Sequence, residues 1–318
     1  MTRVAAIDCG TNSIRLLVAD ANSDGVVDVD RRMVIVRLGE GVDRTGEFSP
    51  AALERTFAAC REYAEVIAST GVQRMRFVAT SASRDVSNRA AFVEGVESIL
   101  GIAPEVIPGD EEASLSFAGA VGALPAGLAA APRLVVDIGG GSTECVLGDT
   151  EPRAAYSVDI GCVRMTERHL HSDPPTREQI DATRADIHAA LDLVEQHVPL
   201  REAASMVGLA GTVTTISALA HDLPAYDPTI LHGSVLTPAQ IDEVVGELLA
   251  MPRADRAALP VMHPGRVDVI AGGGLVLQAV VARAGVPAVV VSEADILDGI
   301  ARSLGASSPP PPNHPGHV

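Results

Sequence analysis

The sequence contains no lysine, so all 24 of its basic residues are arginines. A Walker-type phosphate loop needs a lysine ammonium, and Schiff-base catalysis needs an amine, so both are excluded. Arginine remains, and its planar guanidinium suits phosphate oxygens. GC-rich codon usage also accounts for the bias, so the absence excludes two chemistries without choosing a third.

Positive charge, long apolar runs and paired cysteines are also scarce. The net charge is −17 and the isoelectric point is about 4.8, which predicts no nucleic-acid or membrane partner. No apolar run approaches the ~20 residues of a membrane-spanning helix. The four cysteines lack C-x-x-C spacing and are typical of reduced thiols. We therefore expect a soluble, cytoplasmic protein.

Two similar turns stand out in what the chain does contain. "AAIDCGTNSIRLLVAD" begins at Ala5, and "VVDIGGGSTECVLGD" begins at Val135. Both have the pattern D-x-G-x-x-S, at an offset of 137 − 8 = 129 residues. Each turn joins two apolar, β-prone runs, which predicts a hairpin rather than a loop that leads into a helix.

Glycines and short hydroxyl side chains in such turns can converge on an anion, because glycine lets the backbone N–H groups approach closely. Turn geometry alone explains either copy, but two matched copies favour two halves that hold one polyanion. The predicted phosphate-binding residues are Gly10, Thr11, Asn12, Ser13, Gly139, Gly140, Gly141, Ser142 and Thr143.

A third segment, "GLAGTVTT" from Gly208, resembles a strand end that enters a helix. Its Gly211 and Thr212 are candidates for a phosphate site at a helix N-terminus. The alternative is a helix that Thr212 simply caps.

Asp8 and Asp137 each end an apolar strand just before a glycine turn. A carboxylate beside phosphate is repelled unless a cation lies between them. We therefore predict Mg²⁺, with Mn²⁺ as the alternative, held by these acids, waters and phosphate oxygens. The alternative is that each aspartate caps its turn.

Strand and helix patterns alternate in both halves, which predicts α/β layers. Ser49 with Pro50 starts one helix, Thr176 with Gln179 forms a capping box, and Asp110 is read as a further helix cap. We predict a first domain over 1–124, a linker over 125–133 and a second domain over 134–305. A disordered, proline-rich tail is expected over 306–318.

Six motifs, in chain order, resemble the exopolyphosphatase and guanosine pentaphosphate phosphatase (Ppx/GppA) family: the first turn, "FVATSASRDVSN", "VIPGDEEASLSFAGAV", the second turn, "GLAGTVTT" and "HPGRVDVIAGGG". The resemblance covers about residues 4–305. It implies two actin-like (ribonuclease H-like) α/β domains with a cleft between them. It also implies a homodimer, and a short form without the helical C-terminal domain of longer members.

The resemblance assigns roles to individual residues. Glu112 matches the family base that activates water, Arg84 matches a phosphate contact, and Glu144 matches an acid near the metal. Arg15 is a further candidate for phosphate binding, and the alternative is a solvated arginine on the exposed face of a strand. Ser114 stands where many members have arginine. Glu111 and Glu112 also fit the first turn of a helix, where the helix dipole favours acids.

The expected activity is Mg²⁺-dependent hydrolysis of the terminal phosphate of short-chain inorganic polyphosphate. The alternatives are a guanosine pentaphosphate (pppGpp) phosphohydrolase, a kinase or ATPase of the same superfamily, and a non-catalytic sensor of polyphosphate or alarmone. The sequence does not separate the first two.

Overall fold

The computed structural model describes residues 1–22, 25–84 and 86–306. Within them the chain forms two mixed sheets, each covered by helices, as the alternating pattern predicted. The expected proline-rich tail lies outside the described residues from position 307 onward.

The first sheet is built on the first glycine turn. Strand β1 pairs antiparallel with β2 and parallel with β4, and the strand order is β3-β2-β1-β4-β5. The strands are β1 (Thr2–Cys9), β2 (Ser13–Ala21), β3 (Val26–Ile35), β4 (Arg74–Ala79) and β5 (Glu105–Val106). Its helices are α1 (Val42–Thr45), α2 (Pro50–Thr70), α3 (Ser81–Arg84), α4 (Arg89–Leu100) and α5 (Gly109–Ala123).

The second sheet repeats this arrangement. Its order is β10-β11-β9-β6-β7-β8, so β8-β7-β6-β9 follows the same pattern of pairing as β3-β2-β1-β4. The strands are β6 (Arg133–Ile138), β7 (Thr143–Gly148), β8 (Pro152–Val158), β9 (Ser205–Leu209), β10 (Val235–Leu236) and β11 (Val289–Val291). The similarity of the two turns therefore extends to the strands around them.

One face of this sheet packs against α5, and the other packs against helices of the second half, the last of which returns to the first sheet. They are α6 (Cys162–His169), α7 (Arg177–Glu195), α8 (Ala210–Ala220), α9 (Pro228–Leu231), α10 (Pro238–Ala250), α11 (Arg253–Ala258), α12 (Ile270–Ala284) and α13 (Ile296–Ala306), with a 3₁₀ turn at Leu200–Glu202. Among the described residues, no helix is both long and apolar enough to cross a membrane.

Local helix signals were confirmed where a side chain can cap. Ser49 accepts a 3.1 Å hydrogen bond from the Ala52 N–H, with Pro50 at the first helical position, and Thr176 forms a complete capping box with Gln179. The interpretation of Asp110 as a cap was wrong, because α5 begins one residue earlier, after Pro108, and Asp110 lies within its first turn. Thr212 likewise lies inside α8 and does not cap it.

Each half has its own apolar core, and two helices cross between the halves. Ile296, Leu297 and Ile300 of α13 are buried against β1 and β2 of the first sheet. Ala113 and Phe117 of α5 are buried with strands of the second sheet. The linker at 125–133 stays a prediction, and α13, which follows it in sequence, packs on the first sheet.

Candidate active site

The two glycine turns have the same backbone hydrogen bond. The Gly10 N–H donates to the Ser13 carbonyl, and the Gly139 N–H donates to the Ser142 carbonyl, both at 3.0 Å. In each hairpin, the aspartate lies opposite a charged residue of the next strand: Asp8 opposite Arg15, and Asp137 opposite Glu144. The sequence repeat is thus a repeat of backbone geometry.

The turns contact each other across the cleft between the halves. A Cβ atom on Gly140 would lie 2.8 Å from Thr11 Cβ and 3.2 Å from the Asn12 nitrogen, which is too close for any side chain. Thr11 Oγ1 lies 3.0 Å from Ser81 Oγ on its other side. The absence of a Cβ at residue 140 therefore allows the two turns to close on each other.

Between the turns lies a polar cavity of about 110 Å³. Both halves contribute to its wall, and Glu112 from the start of α5 reaches it. The predicted site residues that line it are Asp8, Gly10, Thr11, Asn12, Ser13, Arg15, Glu112, Asp137, Gly139, Gly140, Ser142, Gly211 and Thr212. The structure thus brings together residues from all three glycine-containing segments.

Four predicted site residues do not line this cavity. Arg84 lies behind Glu112, to which its Nη1 donates a 2.8 Å hydrogen bond. Thr143 is fully buried and donates to the Ile160 carbonyl. Gly141 borders a smaller cavity beside Thr11. Glu144 is buried, and its Oε1 accepts 2.7 Å hydrogen bonds from the Ser142 and Ser157 hydroxyls.

The three acids that line the cavity share one arrangement. In each, a protein donor holds one carboxylate oxygen: Arg15 holds Asp8 Oδ2, Ser116 holds Asp137 Oδ2, and Arg84 holds Glu112 Oε2. No described residue donates to the other oxygen of these acids. In the described part of the chain, Ser83 Oγ is the one fully buried side-chain nitrogen or oxygen atom without a hydrogen-bond partner. The second oxygens are therefore accessible, and all three residues line the cavity.

Burial gives these acids unusual proton affinities. It raises the pKa of Glu112 to about 7, although the Arg84 guanidinium opposes the change. It raises the pKa of Asp137 to about 6, with Asp295 adding to the effect. It also raises the pKa of Asp8 in spite of Arg15, and that of Glu144 well above its ordinary value. A cation in the cavity would favour the ionised forms of all four.

The residues present fit a magnesium ion. Asp8 and Asp137 each offer one unpaired carboxylate oxygen to the same cavity, and Mg²⁺ prefers oxygen ligands. Among the described residues, no group of three or more His, Cys, Asp or Glu side chains would hold a metal alone. An ion here would therefore complete its shell with water and phosphate oxygens, as Mg²⁺ commonly does.

A second cavity of about 450 Å³ adjoins the first. The two share Arg15, Met33, Ala210, Gly211 and Arg266 in their walls. The rest of its wall is mainly apolar and includes Tyr226, Pro228, Pro260, Val261, Met262 and Leu297. The space beyond the phosphate turns is thus less polar than the turns themselves.

Sequence reasoning missed two charged residues beside the site. Arg266 lines both cavities and lies in the "HPGRVDVIAGGG" motif, which carried the family resemblance without a role for this residue. Asp295 forms an ion pair with Arg15, although 280 positions separate the two residues. No local pattern in the sequence indicates the Asp295 contact.

Two α/β halves, each built on a mixed sheet, close paired glycine turns and acids over one cleft. The chain belongs to the Ppx/GppA phosphatase family, whose family model matches residues 17–303.

Several relatives are similar over nearly the whole chain. The chain is 52% identical over 317 residues to Exopolyphosphatase 2 of Mycobacterium tuberculosis, which covers 96% of this chain and 99% of that protein. A crystal structure of an exopolyphosphatase-like protein is 45% identical, with a TM-score of 0.94, over 96% of this chain and 98% of its own. The crystal structure of the Ppx/GppA family member of Aquifex aeolicus is 31% identical, with a TM-score of 0.78, over 95% of this chain and 97% of its own.

Proposed function

We propose that this protein is an exopolyphosphatase, which uses Mg²⁺ to hydrolyse the terminal phosphoanhydride bond of inorganic polyphosphate and releases orthophosphate. The observation that carries the proposal is the unpaired Glu112 Oε1 in the small cavity enclosed by two glycine turns. The identity of 52% to Exopolyphosphatase 2 over nearly both whole chains supports the same activity.

Hydrolysis needs an oriented water and compensation of the charge on the phosphate oxygens. We assign activation of this water to Glu112. Glu112 Oε1 accepts a proton from the water as the water oxygen attacks the terminal phosphorus. The new P–O bond forms as the bridging P–O bond opposite breaks, and the shortened chain leaves. A pKa of about 7 leaves a large fraction of Glu112 ionised at neutral pH and still basic enough to take the proton.

The two glycine turns would bind the terminal phosphates. Thr11 and Ser13 line the cavity, and their hydroxyls and the backbone N–H groups of the turns would donate to non-bridging oxygens, whereas the Ser142 hydroxyl donates to Glu144. Bound Mg²⁺ on Asp8 and Asp137 would supply charge neutralisation between these acids and the phosphates. Glu144 lies behind the second turn, and its proposed place is near the metal rather than on it.

Short chains are the proposed substrates, because the wall beyond the turns offers few free positive charges. Four arginines line the second cavity, and Arg266 forms no ion pair with a described acid. Arg15, Arg31 and Arg32 each form an ion pair with an aspartate. A long polyanion that passed through this cavity would therefore gain little attraction from them.

Hydrolysis of pppGpp is the second candidate, and the second cavity favours it. Its volume and its apolar wall around Tyr226 suit a nucleoside attached to the phosphates in the first cavity. A homodimer and a cytoplasmic location stay predictions, which sedimentation and cell fractionation would test.

The test is phosphate release by purified protein with Mg²⁺ on polyphosphates of graded length, on pppGpp and on ATP. We expect the highest kcat/KM on short polyphosphate. Preference for pppGpp would favour the second candidate, and tight binding without release would indicate a sensor. ATP-dependent phosphorylation of a small acceptor would indicate a kinase, and no release from any polyphosphate would refute the proposal.

A further inference from the structure

Arg15 lies between two carboxylates that come from distant parts of the chain. Its Nε and Nη2 donate to Asp8 Oδ2 at 3.0 and 2.6 Å, across the first hairpin. Its Nη1 donates to Oδ2 of Asp295, which immediately precedes α13. Two edges of the guanidinium are thus occupied by protein acids.

Asp295 is itself held rigidly. Its Oδ1 accepts a 3.0 Å hydrogen bond from the Leu297 N–H, and its own N–H donates at 3.0 Å to Asp298 Oδ2. The residue is 6% exposed. Because both oxygens and the backbone are engaged, Asp295 fixes where the Arg15 guanidinium lies.

The same segment is packed against the helix that carries Glu112. A Cβ atom on Gly119 of α5 would collide with the Asp295 carbonyl oxygen, and one on Gly299 of α13 would collide with the Leu115 carbonyl oxygen. Helices α5 and α13 therefore cross in direct backbone contact. Asp295 lies at this crossing, so it connects Asp8, through Arg15, to the helix of the base.

We infer that Asp295 is a positioning residue for the hydrolysis proposed above: it holds Arg15 on Asp8 and fixes Asp8 relative to Glu112. It also sets the charge balance beside the cation site. Arg15 alone would cancel the charge of Asp8, and Asp295 restores a net negative charge there. The inference rests on the proposed function for its catalytic meaning, but its binding consequences can be measured without turnover.

The charge balance predicts two effects of opposite sign. Without the Asp295 carboxylate, the Arg15 charge is less compensated, so a cation at Asp8 should bind more weakly. The same uncompensated guanidinium attracts phosphate, so a polyanion should bind more tightly in the absence of metal. General loosening of the site would weaken both.

The experiment compares wild type with Asp295→Asn and Asp295→Ser, which both keep an N-cap acceptor for Leu297. Binding of Mg²⁺ alone, and of tripolyphosphate without metal, is measured from the concentration dependence of the melting temperature. We expect Mg²⁺ affinity to fall about tenfold and tripolyphosphate affinity to rise severalfold in both variants. On polyphosphate, kcat should fall while KM stays constant or decreases.

Asp186→Asn is the matched control, because Asp186 is also paired with an arginine, Arg168, but lines neither cavity. It should leave both affinities unchanged, and Asp295→Glu should restore Mg²⁺ binding in part. Unchanged Mg²⁺ affinity in both variants, or a parallel loss of both affinities, would overturn the inference. Failure of the wild type to hydrolyse polyphosphate would refute the proposed function. The Mg²⁺ and tripolyphosphate affinities of the variants would still test the role of Asp295 in binding.

Discussion

Arg84 donates a 2.8 Å hydrogen bond to Glu112 Oε2 and a 3.1 Å hydrogen bond to the Ile107 carbonyl. The backbone contact anchors the guanidinium, and the guanidinium in turn fixes one oxygen of the carboxylate. The orientation that results leaves Oε1 unpaired beside the glycine turns. Arg84 therefore orients the proposed base, and this structure does not place it in the wall of the phosphate cavity.

Replacement of Glu112 should remove turnover while substrate still binds. Glu112→Gln keeps the size of the side chain but cannot accept a proton, so we expect kcat on polyphosphate to fall by about 10²- to 10⁴-fold. The fall should be measured by phosphate release under saturating Mg²⁺. KM should change little, because Oε1 contacts the water in the proposed mechanism rather than the chain.

Glu111→Gln is the matched control for this variant. Glu111 is the neighbouring acid in the same helical turn, but it is only half-buried and accepts a 2.6 Å hydrogen bond from Arg76. We expect its turnover to stay within about twofold of wild type, as for most surface changes. Equal losses in the two variants would remove Glu112 from the role of base.

The pH dependence of kcat/KM should follow the ionisation of Glu112. The carboxyl accepts a proton only when it is ionised, and burial raises its pKa to about 7. Activity should therefore rise about tenfold per pH unit on the acid side and level off at or below about pH 7, because bound Mg²⁺ favours the ionised carboxylate. Arg84 lowers this pKa, so Arg84→Gln should move the acid limb to higher pH. An acid limb at the same pH in Arg84→Gln and wild type would contradict the electrostatic coupling of Arg84 and Glu112.

The parts of this site that sequence could predict are those in which the chemistry is local. Asp8 and Asp137 each precede a glycine turn within a few residues, so the repeat is visible in the chain and reappears in the backbone hydrogen bonds of both hairpins. The helix that starts at Ser49 was predictable for the same reason, since its cap and Pro50 are adjacent.

What sequence could not predict depends on how distant elements cross. Asp295 reaches Arg15 only because α13 folds back onto the first sheet, and no short pattern encodes that return. Arg84 could be matched to a family position, but its contact with Glu112 depends on the packing of α5 beside α3. The start of α5 was misjudged because Asp110 has the residue type of a cap, while Pro108 and Gly109 begin the helix.

Asp137 should lower the stability of the metal-free protein at neutral pH. Burial raises its pKa from the ordinary 3.8 to about 6, so between these values the folded state binds more protons than the unfolded state. Stability is therefore lost as pH rises through this window. Asp137→Asn removes that loss, so at pH 8 in EDTA the variant should be more stable by at most about 3 kcal/mol. Thermal melts at pH 4 and pH 8 would measure the difference, which should nearly vanish at pH 4.

Asp186 provides a comparison of opposite sign for this measurement. Burial opposes the shift, but hydrogen bonds from His169 and Arg168 lower its pKa overall, so its ionised form stabilises the fold above about pH 4. Asp186→Asn should therefore lower the melting temperature at pH 8. A gain for Asp186→Asn, or a loss for Asp137→Asn, would show that the charge of the buried acid does not control the effect.

Closure of the two turns on each other should be sensitive to one methyl group. Gly140→Ala would put a Cβ atom 2.8 Å from Thr11 Cβ, so the turns must separate by a few tenths of an ångström or more. Because catalysis needs phosphate contacts from both turns at once, we expect kcat/KM on polyphosphate to fall by about 10²-fold.

Gly246→Ala is the control, since a Cβ atom there meets no atom within 4 Å and alanine favours the α10 helix. It should leave activity unchanged and the melting temperature equal or higher. Full activity of Gly140→Ala would mean that the turns work without this contact, and the closed cleft would then not be the reactive form.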